Sequence, residues 1–345
     1  LPCGPCPVCG SLITVHAWNA SDLNWKTAGS FPYLRCKGCG SLFRPVDSEI
    51  PAGAYPKGYG TYLNPTSVLI RARCDSSANR RRTAFLESVH KPGSVLDVGC
   101  GSGFFLAYLC SRGWQVHGLE SAEEHVAFAR NILGLSDIVQ DTWPPENHPS
   151  RQYDAVTMIH LIEHLQDPIQ ALMAAWYSLS DGGVLLLETP NIDSWPARLF
   201  GPRWMGLDAP RHMVIFNQGS LLACLKRCGF KAIRLVTYSP STMEWSESLR
   251  YMLNRVRPVT HDNHPSERSV SHASGKNEHV DNKMRKRVLA PLHSTERLVY
   301  RFINILADSI GCGCNMLAVA THNPQVQLRE HKIIPNSANH DDDEK

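Results

Sequence analysis

Three groups of residues in this sequence have the types and the spacing to do chemistry. The first is a pair of Cys-x-x-Cys knuckles, Cys6/Cys9 in CPVCG and Cys36/Cys39 in CKGCG, each followed by glycine. Four thiolates so arranged make a tetrahedral structural zinc site with no position left open for catalysis. The 26 residues between the knuckles exceed the usual span, and a hairpin would absorb the excess. Cys3 forms an overlapping Cys-x-x-Cys with Cys6, but the phase of the second knuckle pairs best with CPVCG, so Cys3 is read as a bystander. The second group is SVLDVGCGSGFF (94–105), an apolar run that feeds Gly99, Gly101 and Gly103. The third is HLIEH, with His160, Glu163 and His164, together with His212 in WMGLDAPRHMVIFNQGSL.

The glycine loop lets a ligand lie against bare backbone, and its neighbours say which kind. A dinucleotide fingerprint needs a third glycine where Phe104 stands, and a P-loop needs a lysine that is missing. Asp97 sits at the end of its strand, where a carboxylate repels pyrophosphate and favours an ammonium group. Glu120 ends the next strand, where a carboxylate can accept both hydroxyls of a ribose. A ribose, a cationic amino-acid end and no phosphate describe S-adenosylmethionine. The competing reading is a glycine turn beside merely solvated carboxylates.

VLDVGCGSGFFLAYL, VHGLE, YDAVTMIHLIEHLQDP and GGVLLLETPN closely resemble class I S-adenosylmethionine-dependent methyltransferases, in particular the group typified by ubiquinone-biosynthesis O-methyltransferases. The similarity covers roughly residues 80 to 237, and GCGCNMLAVAT resembles the closing strand of that family. The resemblance implies an α/β fold with a Rossmann-like seven-stranded sheet whose last strand is antiparallel. It implies that Asp97, Gly99 and Gly101 surround the methionine part of the cofactor, that Glu120 holds the ribose and that Asp141 lies near the adenine. Cys100, Gly103 and Phe104 complete the loop, and Ser121 and His160 join them as candidate cofactor contacts. The corresponding stretch in ubiquinone-type enzymes is Glu-x-x-Glu-His and is associated with magnesium. Here Glu163 and His164 match and His160 does not, which counts against that ion.

Methyl transfer is an in-line displacement that needs positioning and, for a hydroxyl acceptor, a place for its proton. Glu163, His164 and His212 are the candidates, a neutral imidazole being suited to take a proton near pH 7. Structural alternatives stand beside them: His164 as a hydrogen-bonded helix cap, and Asp208 with Arg211 as pins for the loop that carries Trp204 and His212. The Asn/Asp-Pro-Pro-Tyr/Phe motif of adenine N-methylases is replaced here by IHLIEH.

These residues need elements to hold them. Strands are expected at Val95–Val98, Val116–Glu120, Ile138–Gln140, Ala155–Ile159, Val184–Glu188 and Ala232–Val236, with NMLAVATH (315–322) last. RRRTAFLESV reads as a helix leading into the core. A capping box of Ser121 with Glu124 should open one helix. Asp167–Pro168 opens a second, closed by Gly182, and Asn217 caps a third that ends at Gly229. The zones are a zinc-ribbon-like head (1–45), a connector (46–92), a cofactor-binding core (93–237), C-terminal helices with a disordered insert at 258–290 and a closing strand (238–325), and a loose acidic tail (326–345).

Composition narrows the classes. A hydrophobic fraction of 43% with 19% charged residues describes a globular chain, and a net charge of +3 is too small to signal nucleic acid or a membrane surface. No apolar run reaches the roughly 20 residues that span a bilayer. No signal-peptide pattern opens the sequence, and twelve cysteines suit a disulfide scaffold only in a short secreted chain, so a reducing cytoplasm with one metal site is expected. The leading expectation is a methyltransferase for a small molecule, at oxygen in preference to a sugar carbon. An RNA or protein methyltransferase docking through the zinc head, and a non-catalytic cofactor-binding module, are the alternatives. The C-terminal helices suit a lid or a peripheral membrane contact equally, and the oligomeric state is not legible.

Overall fold

The computed structural model describes residues 4–45, 48–55, 66–145, 152–253 and 297–322. Two sheets organise them. The head begins with β1 (Thr14–Ala20) and β2 (Phe31–Cys36), the antiparallel hairpin that takes up the long spacing between the knuckles, followed by β3 (Leu42–Phe43). Helices α1 (Ser67–Cys74) and α2 (Ser77–Glu87) lead into the core.

The core then alternates β4 (Ser94–Val98), α3 (Phe104–Ser111), β5 (Gln115–Glu120), α4 (Glu123–Asn131), β6 (Ile138–Gln140), β7 (Tyr153–Ile159), α5 (Pro168–Ser178) and β8 (Leu179–Pro190). After α6 (Trp195–Phe200) and β9 (Val214–Ile215) come α7 (Gln218–Arg227), β10 (Phe230–Tyr238) and α8 (Met243–Met252), and after a further helix over 297–309 the closing β11 (Asn315–His322). The sheet order is β10-β11-β8-β7-β4-β5-β6, and β11 runs antiparallel to both neighbours. This is the Rossmann-like methyltransferase sheet expected from the sequence.

Its central strands β4, β7 and β8 are buried on both faces, as parallel strands covered by helices must be, while the edge strand β6 keeps Val139 and Gln140 exposed. Leu96, Val98, Val156, Met158, Leu185 and Leu187 meet α5 and α7 on one side, while Val95, Ala155, Val184 and Leu186 meet α2, α3 and α4 on the other. The period of two separates the faces.

Three expectations need correction. Ser121 does not cap α4: the N-cap is Ala122, with no side-chain bond, because the Ser121 hydroxyl is turned to Glu120. Gly182 does not close α5, which ends at Ser178; the chain enters β8 at once and Gly182 lies within that strand at φ +77°. The head sheet does not end with the head, since its order is β1-β2-β3-β9 and its fourth strand comes from beyond β8. Asp167 and Asn217 cap α5 and α7 as expected, Asn217 in a reciprocal box with Ser220. The 258–290 insert, the acidic tail and Cys3 lie outside the described residues. Among the described residues no helix is long and apolar enough to cross a membrane.

Candidate functional site

Ligands of open α/β sheets collect at the carboxyl ends of the strands. Here that edge carries Asp97 near the end of β4 and Gly99 after it, Glu120 at the end of β5, His160 after β7, Glu188 in β8 and, because β11 is reversed, Asn315 at its start.

The glycine loop is tied to β5. The amides of Gly99 and Cys100 donate to the Leu119 carbonyl, at 2.8 and 3.1 Å, and that of Gly101 to Glu120 Oε2 at 2.8 Å. Gly99 and Gly103 have φ of +69° and +79°, and a Cβ at Gly103 would meet Leu135 at 2.8 Å, so backbone conformation and space both require glycine there. Glu120 Oε1 also accepts from the Ala122 amide at 2.9 Å and from Ser121 at 3.4 Å. A carboxylate offers about four lone-pair directions, so capacity is left for a hydroxyl. Asp97 accepts from Thr157, and burial pushes its carboxyl up to about 7, the nearby Glu120 charge adding to the effect.

Two further side chains at this loop were not singled out from the sequence. Ser102 Oγ and both ring nitrogens of His125 are buried and have no hydrogen-bond partner among the described residues. Buried polar atoms without partners are rare, so these suit a ligand with polar atoms of its own. A lone serine between glycines and a histidine inside an amphipathic helix carry no pattern that would have marked them. Cys100, by contrast, turns its thiol toward the Gly101 carbonyl at 3.7 Å. The Phe104 ring opens α3 and lies 5.5 Å from that of Phe128. Asp141 is exposed and caps its own turn at Thr142.

His160 stands at φ +53° with Nδ1 3.1 Å from Glu163 and Nε2 2.9 Å from Glu188. Burial alone would depress its pKa, but two carboxylates outweigh burial and hold it up to about 10. Both carboxylates are fully buried. Glu163, which burial alone would raise, is held down to about 2 by His160. Arg82 of α2 closes the chain with a bidentate pair on Glu188, at 2.7 and 3.0 Å. His160 is thus a charged clamp between carboxylates. A proton shuttle must sit elsewhere.

The ligand atoms of Glu163, His164 and His212 lie within 4.8 Å of one another, and the two imidazoles meet edge to face at 4.7 Å. His164 Nδ1 lies 3.2 Å from the Arg211 carbonyl, and His212 Nδ1 lies 2.9 Å from the Gly206 carbonyl. A carbonyl only accepts, so both rings carry their proton on Nδ1 and keep a bare lone pair on Nε2. Burial, with His212 beside it, lowers the His164 pKa to about 4. Two imidazole lone pairs beside a buried carboxylate can take a proton or hold a divalent ion. These residues come from two motifs about 50 positions apart, expected at the same sheet edge, and the fold brings them into one cluster.

The alternative reading of Arg211 is the one observed. Its guanidinium is fully buried between Asp22 and Asp208, and Trp204 is buried with its indole N–H donating to Glu244 at 2.7 Å. In the head, the Cys6 and Cys39 sulfurs are 3.7 Å apart and those of Cys9 and Cys36 are 3.5 Å apart. A disulfide needs about 2.05 Å. Thiolates about 2.3 Å from a tetrahedral ion stand roughly 3.8 Å from one another, so the four cysteines fit zinc.

The chain resembles known proteins as follows. Residues 71–235 match the family described as a methyltransferase domain. The tRNA U34 carboxymethyltransferase of Hydrogenovibrio crunogenus is 25% identical over 47% of this chain and 52% of its own length. The ubiquinone biosynthesis O-methyltransferase of Psychrobacter arcticus is 32% identical over 33% of this chain and 47% of its own. A solved S-adenosylmethionine-dependent methyltransferase from Thermotoga maritima aligns with a TM-score of 0.43 at 16% identity, over 74% of this chain and 92% of its own. The chain spans about half the length of these two curated relatives.

Proposed function

We propose that this protein transfers a methyl group from S-adenosylmethionine to a small-molecule acceptor, at oxygen in preference to carbon. The carrying observation is that an acidic pair around a glycine loop and two imidazoles whose Nδ1 atoms face backbone carbonyls lie along one sheet edge. Asp97 receives the ammonium end of the cofactor and Glu120 the ribose. The loop of Gly99, Cys100, Gly101, Gly103 and Phe104 forms the floor, and Ser121, Asp141 and the backbone at His160 form the rim. The cofactor supplies a methyl carbon made electrophilic by its sulfonium. With cofactor bound, the chain would align the acceptor hydroxyl in line with the methyl–sulfur bond. The C–S bond would break to release the neutral thioether S-adenosylhomocysteine as the O–C bond forms, and His212 or His164 would take the hydroxyl proton on Nε2, with Glu163 balancing the imidazolium. The four head cysteines hold a structural zinc. Glu163, His164 and His212 have the donor types for a second divalent ion, and the proton-transfer reading does not depend on one.

The test is incubation of the purified protein with tritiated S-adenosylmethionine and a metabolite extract. Label is expected in a low-molecular-weight product. Failure both to bind cofactor and to label anything would overturn the proposal. A transfer RNA acceptor is the second reading, favoured by the similarity to tRNA U34 carboxymethyltransferases. Binding of tRNA that falls steeply with salt would support it, and indifference to tRNA would remove it.

A further inference from the structure

The head is not a separate appendage. Cys6, Val8, Leu34, Cys36 and Phe43 lie in the same apolar cluster as Met213, Phe216, Leu221 and Cys224. β3 pairs with β9, Leu42 opposite Ile215 and Phe43 opposite Val214, only two residues beyond His212. From β2, three residues before Cys36, the Tyr33 hydroxyl donates to the His212 carbonyl at 2.9 Å. The Arg44 amide donates to Met213 O and its guanidinium to Pro210 O, each at 2.9 Å, while Asn217 donates to Cys39 O at 3.1 Å. The Arg211 guanidinium meets both oxygens of Asp22 at 2.9 Å. Asp22 is itself fixed by the amides of Asn24, Trp25 and Thr27. The whole 210–217 stretch is therefore held from the head side, close to the cysteine knuckles.

We propose that the cysteine head is the clamp that sets His212 in place, with Tyr33, Asp22 and Arg211 as positioning residues, so that metal in the four-cysteine site orders the proton-accepting half of the site and leaves the cofactor half alone. The inference rests on the functional reading above only in calling His212 an acceptor. The glycine loop makes its bonds to β5 and none to the head among the described residues, so the two halves have separate supports.

Zinc-reconstituted and chelator-stripped full-length protein are compared by amide hydrogen exchange, by 15N spectra of histidine-labelled protein and by calorimetry with S-adenosylhomocysteine. Stripping is expected to speed exchange in peptides covering 208–216 by roughly tenfold or more, to leave 94–120 within about twofold and to erase the Nδ1–H signature of His212. Tyr33→Phe, with its metal still bound, is expected to perturb the same His212 signal. Unchanged protection at 208–216 after stripping, loss of protection only together with 94–120, or an unmoved His212 signal in Tyr33→Phe would each overturn the clamp. Absence of S-adenosylhomocysteine binding with the metal response intact would sink the functional reading and leave the clamp standing.

Discussion

At the scale of single residues, the site is a set of charges whose protonation is fixed by neighbours. His160 has a folded pKa of about 10, above its ordinary 6.5, because Glu163 and Glu188 flank it. Its contribution to stability is complete below about pH 6.5 and is lost as pH rises toward 10. Its side chain is 38% exposed, so solvent screens part of the effect, and His160→Gln is expected to cost about 1–3 kcal/mol near pH 6. Urea denaturation of both proteins should show that gap narrow by pH 10; a constant gap would mean the imidazolium is not what matters. Asp97 follows the same sign over a lower window. Its folded value of about 7 stands above the ordinary 3.8, so ionising it costs stability as pH climbs from about 4 to 7. An ammonium group beside it favours the ionised form, so S-adenosylhomocysteine binding near pH 6 is expected to release a proton and to strengthen toward pH 8. Calorimetry in buffers of different ionisation enthalpy measures this, and Asp97→Asn should abolish the pH dependence.

At the scale of elements, caps and strand ends decide where the chemistry sits. Asn217 caps α7 and also donates to the Cys39 carbonyl, whereas Asp167 only caps α5. Asn217→Ala should therefore cost more than the roughly 1 kcal/mol expected for Asp167→Ala, as read from chemical denaturation midpoints. Equal losses would mean the bond to the head contributes nothing. The parallel strands, Asp97, Glu120 and the glycine loop were legible because a strand feeding a left-handed turn leaves its mark within a dozen residues. The failure at Ser121 is as instructive: a serine three residues before a glutamate matched the box, yet a stronger acceptor, Glu120, stood next to it. That His212 shares an edge with Glu163 and His164 was legible from the order of the motifs; the β9 pairing to the head sheet that holds it there was not, since it joins two-residue strands about 170 positions apart. Orphaned atoms such as those of His125 are visible only once burial is known.

At the scale of the whole molecule, two structures with different jobs share one core. The parallel sheet carries the glycine loop and its two carboxylates; the cysteine head grips the loop that carries His212, through the buried Asp22–Arg211 pair. Asp22→Ala leaves Arg211 with one carboxylate fewer in a fully buried setting, and a loss of about 3–5 kcal/mol in unfolding free energy is expected. A loss under about 1 kcal/mol would show that the head is a loose attachment. The central claim, that the glycine loop and its two carboxylates receive a sulfonium-bearing nucleoside, is tested most directly by calorimetric titration of the wild type and of Glu120→Ala. Saturable binding of S-adenosylmethionine and S-adenosylhomocysteine is expected, weaker in the variant by about 1–3 kcal/mol, with no binding of NAD or ATP. Undiminished affinity in the variant, or a preference for NAD or ATP, would contradict it.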